Sequence, residues 1–176
     1  MRILEWSKRR TGTSGANGFE NVRVMWGVVG AETTAKTDAF FLHPDDAGSS
    51  RFPKSPSAHI TRNRWQRIEV PSLSLDTAWR SHFDDLPCDL LKIDIEGSEA
   101  SFVEKEANFL RSVRMLVVEI HHWLVDAHYL ERTLEAFGFR RAKILARETE
   151  ADVRLYLNRI RARSSLDHDP IICATS

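Results

Sequence analysis

The chain has 176 residues, 42% of them hydrophobic and 28% charged, as in an ordinary globular domain large enough to fold without disulfides or metals. Lys plus Arg and Asp plus Glu are 25 each, so the formal net charge is zero, and a general nucleic-acid or membrane-surface binder is not expected. No apolar run approaches the roughly 20 residues that span a bilayer, the start MRILEWSKRR is not a secretory signal, and the distant Cys88 and Cys173 suggest reduced thiols in the cytosol.

In chain order, residues 1–15 form a short leading segment, 16–158 the domain, and 159–176 a tail without periodicity that is expected to fray. Asn21–Gly30 (NVRVMWGVVG) alternates β-branched residues and predicts a strand. Ala35–Leu42 is a weaker extended segment that would pair with it. Residues 43–63 hold three prolines and many small polar residues, and read as a lid or a disordered insert. Arg51, Lys54 and Arg62 in this loop would suit an anionic acceptor or simply face water. Trp65–Val70 is a strand stopped by Pro71, and Ser74 caps a short helix, LDTAWRSHF.

The next unit is the clearest. Cys88–Ile95 (CDLLKIDI) has the apolar run of a buried parallel strand, and Glu96-Gly97-Ser98 turns it into a helix over Glu99–Leu110. Arg114–Ile120 is a second buried strand. Asp126 caps a helix in which Leu130, Leu134 and Phe137 share a face, with Gly138 at its left-handed end. Phe139–Ala146 and Asp152–Asn158 form a closing antiparallel hairpin. Strand–helix–strand–helix–strand predicts an α/β fold whose sheet is mostly parallel.

In an open α/β sheet, ligands bind beyond the carboxyl ends of the strands. One such end carries Lys92, Asp94 and Glu96 on one side of the strand, followed by Glu99 in the first turn of the helix, where a carboxylate favours the helix dipole. The neighbouring end carries Glu119, His121 and His122. Several carboxylates and two imidazoles would therefore converge on one crevice. The plainer reading makes Lys92 a structural ion-pair partner, Glu99 a helix-start residue and Glu119 a solvent-facing strand end. A divalent cation held by Asp94, Glu96, Glu119 and His121 is chemically sensible and would suit metal-dependent hydrolysis, but no HxxxH or HxH spacing supports it.

The segment Asp89–Glu99, DLLKIDIEGSE, resembles the IKIDVEGxE signature of the FkbM family of S-adenosylmethionine-dependent methyltransferases. Ala16–Gly30, Ala47–Ser50 (AGSS), Ile68–Asp76 (IEVPSLSLD) and Val117–His121 (VVEIH) resemble further stretches of the family, so the similarity runs over about residues 16–158. The resemblance implies a class I methyltransferase (Rossmann-like) sheet, in strand order 3-2-1-4-5-7-6 with strand 7 antiparallel. It implies S-adenosylmethionine as cofactor and methyl transfer to a hydroxyl of a sugar, glycan or other small metabolite. Asp94 matches the signature's aspartate and becomes the first choice for positioning or deprotonating the acceptor. Glu96 and Glu99 match its glutamates, and Glu119 is a weaker candidate of the same kind.

About 20 residues precede the predicted third strand, too few for two βα units of the usual size. The glycine-rich cofactor turn is therefore expected to be lost, since Thr11–Gly18 (TGTSGANG) lacks a preceding apolar strand, and no cofactor-binding residue can be assigned. The strand Cys88–Ile95 would keep an open edge, to be covered by MRILEW, a second copy or a partner chain. An inactive remnant or interaction module of the same fold is the alternative to an enzyme.

Overall fold

A computed structural model describes residues 25–29, 36–42, 65–84, 86–161 and 172–175. The expectations for the leading segment, the TGTSGANG stretch and the 43–63 loop lie outside these residues.

Two sheets carry the chain. In the smaller, β3 (Gln66–Leu73) lies between β1 (Val28–Val29) and β2 (Thr37–Leu42), parallel to the first and antiparallel to the second. Ala35–Leu42 was expected to pair with the preceding strand, but β2 pairs with β3 instead. Nor does Pro71 stop β3, which continues to Leu73. The N–H of Ser72 points toward β2 and bonds Lys36 O at 3.1 Å, so the N–H that Pro71 lacks falls on the opposite side. There β1 pairing begins only at Val28↔Ser72, and no ladder bond is lost.

α1 (Leu75–Phe83) follows Ser74 as the sequence predicts, with Ser74 Oγ accepting from Thr77 N at 3.3 Å. A second cap was not legible. The Glu106 carboxylate accepts from Leu75 N at 2.9 Å and from Asp76 N at 3.2 Å, placing negative charge at the positive end of α1. The helix expected over 99–110 accordingly breaks into α2 (Glu99–Lys105) and α3 (Ala107–Leu110), with Glu106 between them.

The larger sheet runs in the order β6-β7-β5-β4-β8. β4 (Cys88–Ile93) and β5 (Val113–His121) are parallel, while β7 (Ala151–Asn158) is antiparallel to both β5 and β6 (Phe139–Arg147). Both sheets thus mix parallel and antiparallel pairs, which corrects the mostly parallel expectation. The remaining difference is β8 (Ile172–Thr175), drawn from the tail expected to fray. It pairs parallel to β4 through Leu90↔Ile172 to Ile93↔Thr175 and occupies the edge that the sequence leaves open.

One face of this sheet is closed by α2 and by α4 (Ala127–Ala136), which starts at Asp126 and ends before Gly138 at φ 96°. Leu91, Ile93, Leu116, Val118 and Ile120 from the strands meet Phe102, Leu130 and Leu134 from the helices in a core with no exposure. Alternation turns Leu90, Lys92, Met115 and Val117 to the other, half-exposed face, although the apolar run predicts a buried strand. β6, at the edge, carries exposed Arg140, Arg141, Lys143 and Arg147 and two register shifts, which discourage further pairing. No helix among the described residues is long and apolar enough to cross a membrane.

Candidate active site

The parallel register Lys92↔Val117, Ile93↔Val118 brings the carboxyl ends of β4 and β5 side by side. Asp94 and Glu119 are the next residues in that register. Alternation from Glu119 adds His121 on the same side, and one ligand atom from each of Asp94, Glu119 and His121 lies within 4.8 Å of the others. Lys92 is on that side too, its Nζ 2.7 Å from Asp94 Oδ2.

After β4 the chain reverses through two consecutive left-handed residues, Glu96 at φ 51° and Gly97 at φ 92°. For a residue with a side chain this conformation costs roughly 1–2 kcal/mol, and such strain concentrates at functional sites. The turn directs Gly97 N to Glu99 Oε1 at 3.0 Å and brings Glu96 Oε2 to 3.5 Å from His121 Nε2. Glu99 is more than a helix-start residue. Its side chain has no exposure, and the same Oε1 that receives Gly97 N lies 2.8 Å from His121 Nδ1. His121, itself buried, is therefore held between two glutamates, with Glu99 fixing one ring nitrogen.

Three groups here titrate away from their ordinary values. Burial raises the Glu96 carboxyl, and the charges of Asp94, Glu119 and Glu99 add to this against the opposing His121. Burial likewise raises Glu119, with Asp94 and Glu148 pushing the same way and His121 and Lys92 against. Burial pulls His121 down, but its hydrogen bond to Glu99 and the charges of Glu99, Glu96 and Glu119 outweigh it, and the net shift is upward. Carboxyl groups displaced toward neutrality beside a hydrogen-bonded imidazole are suited to exchanging a proton with a bound hydroxyl.

All four acidic residues picked from the sequence, Asp94, Glu96, Glu99 and Glu119, thus gather around His121. His122 does not join them: it points the other way, with Nε2 3.5 Å from Asp152 Oδ2, and Asp152 is held in turn by Arg154 at 2.7 Å. Strand parity separates the two histidines, since 119 and 121 share a face and 122 does not. Thr175 carries no signal of its own in the sequence. At the end of β8, its O accepts from Asp94 N at 3.1 Å and its Oγ1 donates to Lys92 O at 3.1 Å, bracing the strand end that carries the acids.

No curated protein and no solved structure matches the chain. The family model described as the methyltransferase FkbM domain matches residues 24–141, which include β3, α1, β4, β5 and every acidic residue of the cluster. With a match over well more than half of its length, carrying the signature aspartate and glutamates at the mouth of the sheet, the chain belongs to the FkbM methyltransferase family.

Proposed function

We propose that the protein transfers a methyl group from S-adenosylmethionine to a hydroxyl oxygen of a sugar or other small metabolite, in the cytosol. The observation that carries this reading is the convergence of Asp94, Glu96 and Glu119 beyond the carboxyl ends of β4 and β5. When bound, the cofactor supplies an electrophilic methyl on a cationic sulfonium that departs as a neutral thioether. The acid-lined crevice fits such a cation by charge.

The protein's own part is to orient the acceptor and take up its proton. Asp94, tied to Lys92, accepts a hydrogen bond from the acceptor hydroxyl and sets its direction. The raised carboxyls of Glu96 and Glu119 are placed to receive the proton as the oxygen forms its new bond to carbon. Glu99 holds His121 and acts through it. The order β4-β5-β7-β6, with β7 antiparallel, supports a class I arrangement, and β8 stands beside β4 where that arrangement has its first strand.

Thermal melting with added S-adenosylmethionine tests the reading. At about 100 times its dissociation constant, a ligand stabilises the folded state by roughly 2.7 kcal/mol. An upward shift is expected, and Asp94→Asn is expected to lower methyl transfer by about 10²–10⁴-fold without changing the circular dichroism spectrum. A folded chain whose melting does not respond to the cofactor would instead support the non-catalytic module.

A further inference from the structure

We infer that Asp94, Glu119 and His121 form a binding site for a divalent first-row cation such as Mn²⁺, which holds the acceptor oxygen next to Glu96. The role at the acceptor rests on the methyl-transfer reading, with the ion then orienting the acceptor in place of Asp94 and Glu96 alone receiving its proton; the cation site itself does not.

Three observations carry the site. First, the donors come from different elements and meet at one point: Asp94 follows β4, Glu119 and His121 end β5, and their ligand atoms lie within 4.8 Å of one another. Donors about 2.1–2.2 Å from a shared ion stand at most roughly 4.4 Å apart, so side-chain rotations of a few tenths of an ångström complete the arrangement. Two carboxylates and one imidazole suit Mn²⁺ and its neighbours, and an octahedral ion keeps positions open for water or a hydroxyl oxygen.

Second, His121 is oriented as metal-bound histidines are. Its Nδ1 is fixed at 2.8 Å by the fully buried Glu99 carboxylate, so the ring is oriented with Nε2 toward Glu96, 3.5 Å away, and Nε2 is the nitrogen that would turn to an ion. Among the described residues, Glu99 Oε2 and Ser98 Oγ are buried without a hydrogen-bond partner. Buried oxygens left so are rare in folded proteins, and a cation held nearby accounts for an unpaired carboxylate oxygen.

Third, acidic groups crowd the site. Four carboxyl groups, those of Asp94, Glu96, Glu99 and Glu119, lie around one ammonium, Lys92, and one imidazole among the described residues. Lys92 is engaged with Asp94 and half-exposed, so it cannot neutralise the group. A dication placed between Asp94 and Glu119 would.

The test is a titration of the full chain with Mn²⁺, following loss of the free-ion electron paramagnetic resonance signal in chelator-treated buffer without S-adenosylmethionine. One ion per chain is expected. Asp94→Asn and Glu119→Gln should each weaken binding at least tenfold, while Glu135→Gln, on the exposed side of α4, should match the unmodified protein. Should a variant fail to fold, Mn²⁺ added to the unmodified chain should selectively broaden the His121 ring resonances. No binding by folded protein, undiminished binding in both acidic variants, or broadening elsewhere would overturn the site. A chain that binds S-adenosylmethionine but not Mn²⁺ loses only the cation site; the converse result retains the site and removes methyl transfer.

Discussion

A methyl group on residue 97 would strain the backbone and push the exposed Leu124 side chain aside. Gly97 has φ 92°, and an added Cβ would stand 2.6 Å from Leu124 Cδ1. Gly97→Ala is expected to cost about 1–3 kcal/mol, read as a lower urea midpoint, and to loosen the Glu99 contact that its N–H supports. Tyr156 gives a second residue-level prediction. Burial, then the charge of Glu131, pushes its phenol up to about 12, with Arg154 opposing. The unfolded phenol ionises near its usual value of about 10. The stability contributed by the neutral ring is therefore complete below pH 10 and is lost as pH rises toward 12. Denaturation midpoints should fall across that window, and Tyr156→Phe should make the fall shallower.

Among the elements, β8 stabilises more than its four residues suggest. It supplies the second parallel neighbour of β4 and the carbonyl that receives Asp94 N. Deleting residues 172–176 removes that ladder and uncovers an apolar strand edge. The melting temperature should drop by roughly 5–10 °C, and light scattering should show self-association. An unchanged melting temperature would mean that β4 is stable without this neighbour. The break at Glu106 follows the same logic, because capping α1 with a carboxylate from the junction of α2 and α3 outweighs one uninterrupted run of helix.

Across the whole molecule, what sequence made legible was local. The βαβ unit around KIDIEG announced itself through apolar runs, a turn glycine and a helix start, and the convergence of four acids at its end was legible because strand parity and helix onset are short-range properties. The Ser74 and Asp126 caps were readable for the same reason. Contacts between distant segments were not readable: Glu106 on α1, Glu99 behind His121, and above all a tail whose ICAT carries too few residues to show a period. The two adjacent histidines show the limit from the other side. Parity alone distinguishes His121 from His122, yet only the packed sheet reveals that one is buried with the acids and the other turns to Asp152.

The pairing of β4 with β8 also sets a timetable for synthesis. Thr175 bonds Lys92 across 83 positions of chain, whereas Asp94, Glu119 and His121 are all made within a single βαβ unit. At about 5–20 residues per second, a ribosome would complete the acidic cluster several seconds before the strand that braces it. A nascent chain would thus carry its acids already in place while one flank of β4 still awaited its neighbour. In that interval, chaperone binding or mispairing with another nascent chain competes with maturation.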